Sequence, residues 1–150
     1  MSLILKKIDG YPTLAVIILS LIGAVDSAYL AWLKITGSVA ACSNVGDCNA
    51  VNSSRYAEIG GIPIAFLGLL GYLAILGLTV FEVRFPNWKE GLHLAFFGFT
   101  LAGTLYSIYL TYVEVAILRA ICPYCVISAV AMIGLFIIAI YRLRSVTASE

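Results

Sequence analysis

Charge is what this sequence most lacks. Only 11% of its 150 residues are Asp, Glu, Lys or Arg, and there is a single histidine. Soluble domains carry about 25% charged and about 45–50% apolar residues. Here 62% are hydrophobic, too many to be covered by a polar coat in water. The same surplus excludes disorder, which needs a shortage of apolar residues. The net charge is +1 and no basic stripe exists, so nucleic acid is not an expected partner. Strand-length alternating segments of the membrane-barrel kind are missing. So is any inverted internal repeat of the transporter kind. An integral membrane protein is the class left standing.

What is there is four long apolar runs, at residues 12–33, 63–81, 92–113 and 122–141. Each is close to the roughly 20 residues that a helix rising ~1.5 Å per residue needs to span a bilayer. Backbone groups in lipid must be paired within the segment, so helices are the expected form. The fold expected is an all-α integral membrane protein, a four-transmembrane-helix bundle forming one membrane domain over residues 1–150. A long loop at 34–61 carries two cysteines between the first and second helices. Lys6 and Lys7 precede the first run as in a signal peptide, but the run is too long for one. Small-residue pairs at Gly23/Ser27, Ala24/Ala28, Gly98/Ala102 and Gly103/Ser107 suit close helix packing in lipid.

Lys and Arg set the expected orientation. Lys6, Lys7, Arg84, Lys89, Arg142 and Arg144 fall on one side; Lys34, Arg55 and Arg119 fall on the other. The termini are therefore expected in the cytoplasm of the cell, with the long loop and the start of the fourth helix facing outward.

The four cysteines form two close pairs, Cys42/Cys48 in the loop and Cys122/Cys125 at the start of the fourth helix. The topology puts both pairs at one membrane face. Two static disulfides are one reading, but each would close a short ring and tie together no distant parts of the chain. A four-thiolate zinc site is another, although five residues between Cys42 and Cys48 exceed the usual ligand spacing. Thiol–disulfide exchange has more physical support. Cys122 would cap the helix, with Pro123 at its first position. A thiolate there meets free amides and the positive end of the helix dipole, which lowers its pKa, and Arg119 would add a nearby positive charge. Cys125 lies about 4.5 Å deeper, facing the bundle. The order loop pair, Cys122, Cys125, intramembrane acceptor is a relay, and a quinone is a lipid-soluble two-electron acceptor.

The chain resembles the vitamin K epoxide reductase family in its short bacterial and archaeal form. The resemblance runs over roughly residues 11–141. It rests on Asp26-Ser27-Ala28-Tyr29-Leu30, on Cys42 and Cys48 followed by Ser53-Ser54-Arg55-Tyr56, on the run from Gly61 to Gly68, and on Cys122-Pro123-Tyr124-Cys125. It implies a four-helix bundle enclosing a quinone near the Cys-x-x-Cys; a ubiquinone- or menaquinone-type acceptor is expected, and, given the cysteine spacing, no metal. Cys42 and Cys48 become a shuttle pair exchanging with a thioredoxin-like protein, Cys122 the receiver, and Cys125 the neighbour of the quinone. Ser54 matches a family serine that stabilises the quinone or thiolate end. Ala65, Phe66 and Ala129 join Ser54 as candidate quinone contacts. Ala129 replaces a pocket tyrosine of the vertebrate enzymes, which favours a respiratory quinone over vitamin K epoxide. Many bacterial members carry a fused thioredoxin-like domain; here a separate partner protein is expected.

The related quinone-dependent disulfide oxidase with four helices places its Cys-x-x-Cys before the separated pair, the reverse of this order. A small multidrug-type transporter using Asp26 as coupling carboxylate is the alternative from another class. Asp26 at membrane depth is a functional candidate by default, or else reaches the interface or the loop amides. Glu114 and Arg119 are expected to be solvated. His93 lies on the side away from the cysteines, and Tyr106, Tyr109 and Tyr112 suit interface or packing. Asn52-Ser53-Ser54 fits a glycosylation sequon of low specificity.

Overall fold

Among the described residues, four helices are long and apolar enough to cross a membrane. The structure is a computed structural model that describes residues 2–42 and 46–149, with side chains from residue 10 onward. The side chains of Lys6 and Lys7 thus lie outside the described residues. In chain order the elements are α1 (Ser2–Thr36), the short α2 (Cys48–Asn52), a 3-10 turn (Arg55–Ala57), β1 (Glu58–Ile59), β2 (Ile62–Pro63) and α3 (Ile64–Arg84). A second 3-10 turn (Pro86–Trp88), α4 (Lys89–Tyr112), a π-helical turn (Val113–Leu118) and α5 (Pro123–Thr147) complete it.

The helices are longer than the apolar runs that announce them. Apolarity marks where lipid is touched, whereas backbone hydrogen bonding continues into the polar flanks. Pro12 accordingly sits inside α1 rather than at its start, at the cost of one amide donor. The loop contains a small hairpin that its length alone does not foretell. Gly60 and Gly61 both adopt positive φ, 59° and 84°, as a two-residue hairpin turn requires. Ile59 then pairs with Ile62 and Glu58 with Pro63.

α1 packs on α3 and α5, and α4 packs on α5. The central core gathers Val16 and Ala24 of α1, Tyr72 and Ile75 of α3, Phe96 of α4, and Met132, Leu135 and Ala139 of α5. Gly23 leaves the room that the Tyr72 ring fills, and Gly103 does the same for Met132. Gly98, by contrast, has no neighbouring group against it, so its small-residue pattern marks no helix contact there. The buried Tyr72 hydroxyl donates to the Ser128 carbonyl at 2.7 Å, which meets the need of a buried polar group for a partner. Trp32, Val80, Leu94 and Ile137 are exposed, as lipid-facing side chains should be.

At the end of the bundle away from the cysteines, all four long helices join one polar cluster. Glu82 of α3 stands 2.9 Å from His93 Nε2 of α4 and accepts from Arg142 of α5 at 3.0 Å. Arg142 also donates to the Thr13 hydroxyl of α1 at 2.9 Å. Arg142, one of the cations in the orientation count, is therefore tied to Glu82 inside the bundle end and not left to solvent. Arg142 is 5% exposed, because a guanidinium in this position needs a carboxylate more than it needs the interface.

Candidate functional site

The loop is fastened to α1 by polar contacts. Lys34 Nζ donates to the Asn52 carbonyl at 2.8 Å and pairs with Glu58 at 2.8 Å. The Ala40 amide donates to Asn49 Oδ1 at 2.9 Å, and Asp47 caps α2 by accepting from the Ala50 amide at 2.9 Å. The loop is also seated on the start of α5. The Asp47 amide donates to the Ile121 carbonyl at 3.1 Å. Gly46, at φ 143°, lies so close to that same carbonyl that a Cβ would collide with it.

This seating brings the two cysteine pairs together. Cys42 and Cys48 are disulfide-bonded, with Cα atoms 6.1 Å apart. Cys122 and Cys125 are free thiols. Cys48 and Cys122 are both fully buried, in one cluster with Leu30, Leu33 and Ala40. Cys42 and Cys125 pack against its edge.

Cys122 is the N-cap of α5, extended at φ −101° and ψ 112°, with Pro123 in the first turn. Its thiol is held below the ordinary range. The chief cause is the hydrogen bond from the Cys125 thiol, helped by the amides of Cys125 and Tyr124; burial and the Glu114 carboxylate oppose it. Arg119 has no part in this. It is exposed, in a left-handed conformation at φ 50° that ends the π-helical turn.

Below Cys125 opens a cavity of about 410 Å³, within the 300–1,000 Å³ common for small-ligand sites. Ser54, Ala65 and Ala129 line it, together with Asp26, Tyr72, Tyr106, Glu114 and Cys125. Phe66 does not line it and is 41% exposed. The Ser54 hydroxyl donates to the Val51 carbonyl at 2.7 Å, so its proton is engaged and its lone pairs remain as acceptors. Asp26 is 8% exposed, and its Oδ2 has no hydrogen-bond partner among the described residues. The residue borders both the cavity and the shallower groove beside Tyr29 and Tyr124. The ring of Tyr106 belongs to the cavity wall, whereas Tyr109 and Tyr112 are exposed.

Glu114 corrects the sequence reading. It is not solvated; it is 4% exposed. Its Oε2 accepts from the Cys122 amide at 3.2 Å, and its carboxylate also meets the Cys125 thiol. The wide turn at Val113–Leu118 brings this about, since a π turn adds a residue and rotates the side chains beyond it. The available signal was a lone acid one residue beyond the end assigned to the third apolar run. Extending that run by a few residues would have enclosed it, and an ionisable residue at membrane depth is a functional candidate.

The family model described as the vitamin K epoxide reductase family matches residues 14–140, a stretch that takes in all four cysteines. Over 122 residues the chain is 33% identical to the thiol-disulfide oxidoreductase LTO1 of Arabidopsis thaliana. The alignment covers 77% of this chain and 32% of that protein. The chain thus spans about a third of the length of this curated relative.

Proposed function

Because the chain belongs to the vitamin K epoxide reductase family, we propose that it is a membrane thiol–disulfide oxidoreductase passing electrons from a thioredoxin-like protein to a membrane quinone. The observation that carries this reading is the seating of the loop on the start of α5. It places a bonded pair, Cys42–Cys48, and a free pair, Cys122/Cys125, in one cluster above a cavity. Static staples would need no such meeting. A transporter built on Asp26 would need no paired cysteines at all.

The two loop cysteines differ in access. Cys48 is fully buried beside Cys122, while Cys42 is only partly buried. Cys42 is thus the sulfur that exchanges with the partner protein, and Cys48 the one that exchanges with Cys122. Exchange proceeds by attack of a thiolate on a disulfide sulfur. A Cys122 thiol of lowered pKa is a good leaving group when the second loop cysteine resolves the mixed disulfide between the loop and Cys122, and a ready thiolate afterwards.

The cavity fits a quinone head group in size and in character. Its walls are largely apolar, Cys125 stands at one side, and Asp26 is among its few polar lining residues. Ser54, Ala65 and Ala129 would hold such a group. When bound, it supplies an acceptor for two electrons and two protons. Oxidised quinone pools draw electrons out of thiols, so the protein makes disulfides in its partner. Placement of the cysteines on the outer face suits that product, because disulfides persist outside a reducing cytosol.

The test uses the purified protein in lipid, a reduced thioredoxin-like protein and a soluble quinone. Wild-type protein should oxidise the partner and reduce the quinone in equal amounts. The Cys42→Ser, Cys48→Ser double variant should stop partner oxidation while a small dithiol still drives quinone reduction. Partner oxidation at the normal rate by that variant would sink the shuttle role.

A further inference from the structure

Glu114 touches both members of the Cys-x-x-Cys pair and opens onto the cavity. One carboxylate oxygen is fixed by the Cys122 amide at 3.2 Å. The carboxyl also contacts the Cys125 thiol, and the side chain is buried. None of the ion pairs among the described residues involves it. The titratable groups around it are Cys122 and Cys125 of α5. Across the cavity stand Asp26 of α1, Tyr56 of the loop, Tyr72 of α3 and Tyr106 of α4. Arg119, at the end of the same turn, is exposed. A carboxyl so placed has one oxygen held for positioning and the other free to give or take a proton.

We propose that Glu114 carries the proton that Cys125 gains and loses each time the Cys122–Cys125 bond opens and closes. The inference rests on the exchange reading above. On opening, a loop thiolate attacks Cys122 Sγ, the loop–Cys122 bond forms, and the Cys122–Cys125 bond breaks. Cys125 leaves as a thiolate and takes the proton of Glu114, so the negative charge passes from the loop to the carboxylate. The second loop thiol then displaces Cys122 as a thiolate and the loop disulfide forms. On closing, the Cys122–Cys125 bond forms again and two electrons leave to the quinone-class acceptor. The Cys125 proton returns to Glu114. The two protons released by the loop dithiol match the two that the acceptor takes up.

The amide of glutamine can still accept from the Cys122 amide but cannot carry the proton, so Glu114→Gln separates positioning from transfer. The readout is the opening of the Cys122–Cys125 disulfide by dithiothreitol in the purified, quinone-free protein, followed by alkylation and mass spectrometry. With the reagent's thiolate fraction divided out, the wild-type rate should fall as pH rises through the titration of Glu114. Glu114→Gln should open about tenfold more slowly or worse at neutral pH, with no such fall, and Glu114→Asp should restore the pH dependence. A Glu114→Gln protein with the wild-type rate and profile overturns the proposal and leaves the exchange reading standing. A wild-type pair that dithiothreitol cannot open overturns both. Should Glu114→Gln not fold, infrared difference spectra of the wild-type protein decide. The protonated-carboxyl stretch should weaken from disulfide to dithiol, and an unchanged carboxyl region overturns the proposal.

Discussion

Cys122 and Cys125 are three residues apart and chemically unlike. Cys122 sits where the helix has not yet begun, with amides pointing at it; Cys125 sits within α5 at the cavity wall. The Cys122 thiol is held below the ordinary thiol range, chiefly by the hydrogen bond from Cys125. Its thiolate therefore persists as pH falls past the point where an ordinary thiol has become protonated. In the reduced Cys42→Ser, Cys48→Ser protein, iodoacetamide should modify Cys122 before Cys125, with a midpoint below that of a free thiol. A Cys122 midpoint at or above that of a free thiol, read by peptide mass spectrometry, would contradict the capping geometry. Of the named candidates, Ser54, Ala65 and Ala129 border the cavity and Phe66 does not; the meeting of the two cysteine pairs at one end of the bundle was legible in the sequence from the topology. Glu114 and Tyr106 were not, because which face of a helix looks inward depends on turns that apolarity does not report.

Elements were legible where lipid dictates composition and hidden where backbone geometry decides. The four long helices follow from four apolar runs. The π turn at Val113–Leu118, the hairpin at Gly60-Gly61 and the extension of α1 past Pro12 carry no hydropathy signal. The polar cluster of Thr13, Glu82, His93 and Arg142 was hidden for another reason: charges near span ends read as solvated until the helices are assembled. Breaking such a pair from one side leaves a buried charge without its partner, at about 3–5 kcal/mol. Glu82→Ala should therefore lower stability by about 3 kcal/mol or more, seen as a reduced Tm in detergent. The rate of Cys122–Cys125 opening in the surviving folded protein should not change. A Glu82→Ala protein as stable as wild type would mean that water or headgroups already satisfy Arg142.

Seen as a whole molecule, the bundle has unlike ends. One is closed by the polar cluster that joins all four long helices; the other carries the cavity, the loop and every cysteine. This polarity makes the direction of insertion a question about chemistry. Intact cells treated with reductant and a membrane-impermeant maleimide should label Cys42 from outside. Labelling only after lysis would invert the placement proposed here and leave the relay itself untouched. The seat of the loop on Ile121 has a kinetic meaning of its own. Two groups tethered within one chain meet at an effective concentration set by geometry, not by how much protein is present. With Gly46 and Asp47 pressed on the residue before Cys122, the proposed transfer between the pairs would be a first-order event. On the proposed relay, dilution would slow only the encounters with the partner protein and the quinone, so with both saturating the turnover per molecule would be a property of the single chain.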